Sequence, residues 1–300
     1  MTIAADISSR ALEATEKNTK QADNQQPFRW TRIPLHVLLL AFGIMMAMPF
    51  VWMVFSSFKP LDEIFAQPPK LLPHAWTGQN WNTALTGSSN FLQGFANSAT
   101  VAISVTVVSV ITCSMAAYAF ARIKVPGINA LFLVFLATLM VPQQLTIIPL
   151  YVIMGRLHLV DTLMALILPA ALFNAFGVFL LRQYVRGIPL ELEEAAAIDG
   201  ASRIRIFLTI ILPLLRTPMV ALGIFVFLGQ WNSFFYPLIF LNSDSKFTLP
   251  LMVNQFKGAY SSDWGALMAA TSLAAAPLLI IFILAQRQIV EGIALSGSKT

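Results

Sequence analysis

The sequence predicts an all-α membrane protein that crosses the bilayer six times. Three observations carry that reading: a composition too apolar for water, six apolar stretches of spanning length, and a lopsided distribution of lysine and arginine. Of its 300 residues, 57% are hydrophobic and only 11% charged, with a mean hydropathy of +0.72. A soluble domain carries about 25% charged residues.

The polar segment Met1 to Gln26, rich in Ala, Gln, Asn, Lys and Glu, has no hydrophobic periodicity and is expected to be a disordered tail, within an N-terminal cytoplasmic segment of residues 1–32. A bilayer core about 30 Å thick needs about 20 mostly apolar helical residues. The qualifying stretches run from Ile33 to Phe55, Phe95 to Ala121, Ile128 to Met154, Thr162 to Leu181, Ile210 or later to Leu241, and Ala266 to Ala285. After the first comes Phe55-Ser56-Ser57-Phe58-Lys59-Pro60, which offers no small-x-small cleavage site, so the run is expected to stay as a span. Residues 33–290 form the expected membrane domain, and 291–300 a short C-terminal tail. Pro49, Pro142, Pro149, Pro213, Pro218, Pro237 and Pro277 fall in or beside these spans. Each deletes a helical hydrogen bond, and the freed carbonyl needs a neighbouring helix or a water-filled cavity.

Orientation follows from the basic residues. With the N-terminus cytoplasmic, Arg10, Lys17, Lys20, Arg29, Arg32, Arg122, Lys124, Arg182, Arg186, Arg203, Arg205, Arg216, Arg287 and Lys299 lie inside, and only Lys59, Lys70, Arg156, Lys246 and Lys257 outside. That bias obeys the positive-inside rule and places both termini in the cytoplasm. The isoelectric point near 9.5 is therefore read as topology, since the bases sit between apolar runs and form no nucleic-acid face. The single cysteine, Cys113, excludes an intrachain disulfide.

Between the fourth and fifth spans, on the same side as the termini, residues 188–213 interrupt the apolar pattern. Pro189 fits a first helical turn, Glu191, Glu193 and Glu194 complement its positive end, and Gly200 suits a left-handed cap, which together predict a helix of about three turns. Leu192, Ala195, Ala196 and Asp199 share one narrow face of small side chains, with Glu191, Glu194 and Ile198 beside it. Ser202 can cap a second helix that carries Arg203 and Arg205 and runs to Leu212-Pro213. A helix resting in anionic headgroups favours lysine and arginine on its polar face, whereas the first helix is acidic and has no base. The hairpin reads as a handle for a water-soluble partner.

Glu194-Ala195-Ala196, then Gly200, then Ile210-x-Leu212-Pro213 resembles the cytoplasmic signature loop of permease subunits of bacterial ATP-binding cassette (ABC) importers. Phe227-Leu228-Gly229-Gln230-Trp231-Asn232, Pro237-Leu238, Thr248-Leu249-Pro250-Leu251, Trp264-Gly265 and the tail from Ala285-Gln286-Arg287 to Gly292 are similar to the carbohydrate branch, specifically the smaller maltose-type permease. The resemblance covers nearly everything after about Leu35 and implies the type I importer permease fold in the bacterial plasma membrane.

It further implies a coupling helix seated in a cleft of a cytoplasmic ATPase, with Glu194, Ala195 and Gly200 as contacts and Ala196, Asp199, Arg203 and Arg205 in support. The implied partners are a second permease subunit, an ATPase dimer and an extracytoplasmic substrate-binding protein. The implied cargo is a sugar or a related compound such as a glycerol phosphate. Residues Asn242 to Asp263 match the loop that reaches toward the binding protein in the maltose-type branch, with Asn242-Ser243-Asp244-Ser245 and Gly258-Ala259-Tyr260-Ser261-Ser262 read as turns, and the C-terminal tail resembles one that enters the ATPase dimer. Sugars are bound by amides, hydroxyls and aromatic faces, so Gln230, Trp231, Asn232 and Asn174 are candidates for the path, with Gln143 and Gln144 further out. Amides also serve helix packing in membranes.

No Gly-x-x-x-x-Gly-Lys-Ser/Thr loop occurs, so the chain is expected to be no enzyme, and ATP and magnesium are expected on the ATPase partner. Importers of non-sugar solutes share this architecture. A self-sufficient secondary carrier is the alternative from another class, although a proton-coupled one usually needs an acid or base inside the membrane, and Asp161 lies at a span edge. His36, His74 and His158 are scattered and form no catalytic grouping.

Overall fold

The computed structural model describes residues 33–87, 91–257 and 263–297, with side chains through Gln286. The expectations for residues 1–32 and for the turn Gly258 to Ser262 lie outside the described residues. Contacts divide the chain into two units, Met1–Trp52 and Met53–Thr300. Only the body of helix α1 (Ile33–Ser56) is described in the first. It is apolar throughout, carries no charged residue in either terminal turn and contains Pro49.

The second unit is organised around helix α4 (Phe91–Arg122), whose 32 residues include no proline. Its buried positions, among them Gly94, Ser98, Val101, Ala102, Val105, Ser109, Cys113, Ala117 and Tyr118, recur at helical spacing and are mostly small. Small faces let neighbouring backbones approach closely where lipid supplies no hydrophobic drive. Against this face pack α7 (Met164–Leu172), α8 (Ala175–Gly187) and α12 (Arg216–Trp231). The hydroxyls of Thr106 and Ser114 donate to the carbonyls four residues earlier, at 2.7 Å each, so these two are satisfied within the helix.

Among the described residues four helices are long and apolar enough to cross a membrane, or six if two bent pairs each count as one span. The expected third and fifth spans are those pairs, and neither is a single helix. Helix α5 (Ile128–Ala137) runs through a 3₁₀ turn, Thr138–Met140, and is bent by 96° from the segment Gln143–Arg156, which contains α6 (Ile147–Arg156). Pro142 explains the break, because it forces Val141 into an extended conformation (ψ 116°) and cannot donate a helical hydrogen bond. Gln143 and Gln144 lie exposed at this corner.

The fourth span breaks after Leu172 and resumes at Ala175, continuing past the expected Leu181 to Gly187. In the fifth, Arg203–Leu214 and Arg216–Trp231 meet at 75°. Pro218 sits in the first turn of α12, where a missing N–H is tolerated, and the same absence stops the helix from continuing back into Leu214. The run expected to reach Leu241 is interrupted once more, ending at Trp231 and restarting as α13 (Phe235–Phe240). The last helix, α15 (Trp264–Gly297), carries Pro277 and extends its backbone helix through most of the expected tail.

At the end of the unit away from the hairpin, short segments are pinned by side chains. Helices α2 (Leu61–Ile64) and α3 (Gln79–Thr86) follow the first span, and Phe58 lies 5.8 Å from Trp76 and 5.4 Å from Trp81. Asn80 donates to the Ser57 and Lys59 carbonyls at 3.0 and 2.7 Å. The Lys59 side chain is enclosed and donates to the Lys70 carbonyl at 2.5 Å; burial lowers its pKa, against the pull of Glu63. Asp161 accepts from the Asn242 and Ser243 amides at 2.8 and 2.9 Å and from the Ser243 hydroxyl. It thereby ties the α6–α7 turn to the exit from α13, and the expected turn at Asn242 to Ser245 leads into a 3₁₀ turn, Asp244–Lys246.

The Trp264-Gly265 pair has a packing role here. Trp264 meets Phe65 edge-on at 5.9 Å, and a Cβ on Gly265 would lie 2.3 Å from Asn80 Oδ1. Gly265→Ala is expected to dislodge Asn80 and destabilise the fold by about 1–3 kcal/mol, read as a lower thermal midpoint in detergent. Asp161 makes a second expectation. The Ser243 hydroxyl and the two amides hold its carboxylate pKa below the ordinary range. A lowered folded pKa stabilises above the unfolded value, and the contribution is lost as pH falls through the folded one. Between pH 7 and about 3 the thermal midpoint should therefore drop more in the natural protein than in Asp161→Asn, near the ordinary aspartate pKa of about 3.9.

Candidate functional site

The polar hairpin consists of α9 (Glu191–Ile198), a turn, and α10 (Arg203–Ile206), which passes through a π-helical stretch, Phe207–Ile211, into α11 (Leu212–Leu214). Helix α9 is shorter than expected. Its N-cap is Leu190, so Pro189 precedes the helix and does not occupy its first turn. The three glutamates of the first turn still lie where the positive helix end favours them.

The turn is built as the sequence suggests. Gly200 adopts φ +83°, its N–H donates to the Ala197 carbonyl at 3.0 Å, and the Ala201 N–H reaches back to Ala196 at 2.9 Å. That pair of bonds is a Schellman cap, which closes the last carbonyls of α9 and requires a left-handed residue at this position. Ala196 and Ala201 are half-buried against the adjacent apolar core, the contact that commonly accompanies the cap. Ser202 then accepts from the Arg205 amide at 3.4 Å and starts α10.

Of the seven predicted contact residues, Glu194, Ala195, Asp199, Gly200, Arg203 and Arg205 are exposed, and only Ala196 turns partly inward. Leu192, Ile198 and Ile204 are exposed beside them, Ile198 to 86%. Together they leave an apolar edge uncovered at the hairpin tip, amid acids and arginines.

The residue that sequence reasoning missed is Glu193. It was grouped with its neighbours as a dipole complement, yet it is buried and its carboxylate is held from two sides. Arg122 Nε donates to one oxygen at 2.5 Å and the Tyr118 hydroxyl to the other at 3.2 Å. Arg122 Nη2 also donates to the Ile188 carbonyl at 2.6 Å. The Tyr118 ring lies 5.3 Å from Phe207, on the other arm of the hairpin. Two residues one turn apart at the end of α4 therefore grip both arms. The available signal was the spacing: at about 3.6 residues per turn Glu193 points nearly opposite to Glu191 and about 100° away from Glu194.

The path candidates divide. Asn174 Oδ1 accepts from the Gly177 amide at 2.8 Å and its Nδ2 donates to Ser109 at 3.1 Å, so it caps α8 at the break. Trp231 is buried, donates to the Ala274 carbonyl at 3.0 Å, and packs on Phe227 and Phe95. Asn232 is exposed with Nδ2 on the Leu228 carbonyl, and Gln230 is half-buried. The four are not gathered into one described pocket. Among the described residues no three His, Cys, Asp or Glu side chains gather as a metal site would need.

The family described as binding-protein-dependent transport system inner membrane component matches residues 109–294, which include the whole hairpin. An ABC transporter permease protein of Caldicellulosiruptor is 37% identical over 88% of this chain and 95% of its own length. The arabinooligosaccharides transport system permease protein of Halalkalibacterium halodurans is 34% identical over 84% of this chain and 90% of its own. The diacetylchitobiose uptake system permease protein of Streptomyces coelicolor is 34% identical over 85% and 84%. Among solved structures, a chain of a bacterial ABC transporter involved in the import of the acidic polysaccharide alginate superposes with a TM-score of 0.75, covering 88% of this chain and 99% of that one, at 22% identity. That likeness establishes the fold.

Glu193 and Glu194 are neighbours with opposite environments, and their substitutions should differ accordingly. Glu193→Ala leaves Arg122 enclosed without its countercharge and should cost about 3 kcal/mol. Glu194→Ala, at an exposed position, should stay within about 0.5 kcal/mol. Thermal unfolding of the purified variants in one detergent compares them directly.

Proposed function

The chain belongs to the binding-protein-dependent transport system inner membrane component family of multi-pass bacterial membrane proteins, and from that premise we propose that it is a permease subunit of a sugar importer, driven by a separate ATPase that grips its polar hairpin. The observation that carries this reading is the exposed face of Glu194, Ala195, Asp199, Gly200, Arg203 and Arg205 on a hairpin whose other side is bolted to the membrane helices through Glu193. A docking surface must be accessible, yet its displacement must reach the spans.

Each residue has a role in that docking. Glu194 offers a carboxylate to a cationic ATPase side chain, a charge-assisted hydrogen bond of the stronger kind. Ala195 allows close approach, Asp199 and the arginines frame the contact, and Gly200 sets the angle between the arms. ATP and magnesium are held by that partner, and the cell contributes a second permease subunit and a binding protein. On this reading the hairpin and both termini are cytoplasmic, as the basic bias favours. The segment Asn242 to Lys257 then faces outward toward the binding protein.

The sugar cargo is supported by relatives named for arabinooligosaccharide and diacetylchitobiose transport. Of the four candidates, Gln230 and the Oδ1 of Asn232 remain to serve the path, because Asn174 and Trp231 are engaged in capping and packing and Asn232 Nδ2 is spent on the Leu228 carbonyl. Calorimetry on the cognate binding protein identifies the cargo class.

Glu194→Lys and Gly200→Val should insert normally yet lose ATP-dependent uptake and co-purification of the ATPase. The valine fails because φ +83° is strained for a β-branched residue. Undiminished uptake and ATPase recovery in both variants would overturn the reading, as would solute uptake by the reconstituted chain alone without ATP.

A further inference from the structure

Helix α4 differs from every other long helix among the described residues. Helix α1 contains Pro49, α15 contains Pro277, and the remaining spans are broken or bent. At 32 residues α4 is about 48 Å long. It therefore exceeds a hydrocarbon core of about 30 Å and presents its ends beyond it.

Both ends hold a different part of the protein by side-chain bonds. At the C-terminal end Tyr118 and Arg122 grip Glu193, Ile188 and Phe207 of the hairpin. Near the N-terminal end Asn97 Nδ2 donates to the Ser245 and Phe247 carbonyls at 2.9 Å each, and Ser98 Oγ accepts the Leu249 amide at 2.7 Å. Those bonds fix the start of α14 (Leu249–Gln255), and a Cβ on Gly94 would lie 2.6 Å from Met252 of the same segment. The routes through the chain itself are worse conductors. Leading back from the hairpin, α8 ends at the break around Asn174; leading forward, α12 starts at a 75° bend.

The geometry points to α4 as a rigid strut that couples the hairpin to the outer segment 242–257, with Arg122 and Tyr118 as positioning residues at one end and Asn97 and Ser98 at the other. The inference rests on the permease reading for what binds at each end: an ATPase on the hairpin, a substrate-loaded binding protein on the outer segment. Docking of the binding protein then biases the hairpin directly, and hydrolysis in the ATPase seated on the hairpin is felt outside, as linkage between two sites on one rigid element requires.

The test uses the full transporter in nanodiscs with its ATPase, second permease and binding protein. Asn97→Ala should leave basal hydrolysis unchanged and lower binding-protein-stimulated hydrolysis about tenfold at saturating binding protein. Arg122→Lys, which keeps the charge but cannot fork between Glu193 and Ile188, should retain the ATPase on purification and lose stimulation to the same degree. Full stimulation in either variant overturns the strut. A second readout needs no partner: spin labels at Ile198 and Asn254, with Cys113→Ser, should give one narrow distance distribution that broadens in both variants. Unchanged widths overturn the strut even if transport proves independent of ATP, an outcome that would instead remove the permease reading.

Discussion

An unbroken helix is the constraint on which the other broken ones depend. Inside hydrocarbon every freed backbone group must find a partner, so a chain with interruptions at Pro142, Asn174, Leu215 and Asn232 needs a surface against which to rest them. Helix α4 supplies that surface. Its hydroxyls bond the break at Asn174, through Thr112 to the Ala171 carbonyl at 3.1 Å and Ser109 to Asn174 at 3.1 Å, while Asn97 and Ser98 hold the segment around Ser245 and Leu249. Its small side chains bring those neighbours near enough for such bonds to form. Remove the regularity of α4 and the break at Asn174 loses its hydrogen-bond partners.

The same accounting reassigns several polar residues that chemistry alone makes attractive as ligands. An amide in an apolar span is equally a sugar contact and a backbone plug, and its sequence neighbourhood does not distinguish the two. Asn174 proves to be a plug because it sits at the N-cap of a helix restarting in mid-membrane, with both ends of its amide occupied. Trp231 is likewise bonded to a carbonyl of the last helix. Aspartate at a span edge looks idle, yet Asp161 ties the α6–α7 turn to the exit from α13.

The span architecture, the family and the hairpin's turn were legible because they are local: apolar run lengths, a signature spacing, a glycine where a left-handed residue fits, a serine at the N-cap of its helix. Helical geometry across the prolines was only partly legible. Proline marks a break but not its angle, which depends on what the two halves pack against; Pro142 accompanies a 96° corner whereas Pro277 lies within a continuous helix. The grip on Glu193 was invisible for a further reason. Its partners lie 71 and 75 residues away on another span, and three glutamates in the first turn of a helix already have a sufficient local explanation.

That grip is a poor choice if stability alone were at stake. A buried ion pair barely repays the desolvation of its charges, and apolar residues of similar volume often do as well or better. Apolar contacts, however, are non-directional, and a hairpin held only by them can slide or rotate on the helix that supports it. Arg122 is a planar fork with two acceptors at fixed positions, the Glu193 carboxylate and the Ile188 carbonyl, on either side of the start of α9. Tyr118 adds a third point through its hydroxyl and a fourth through its ring on Phe207. Directional bonds at that many points fix the hairpin's orientation as well as its position. Under the proposed docking of an ATPase on Glu194 and Gly200, a joint that turns a push into motion of a helix needs that orientation more than it needs another kilocalorie.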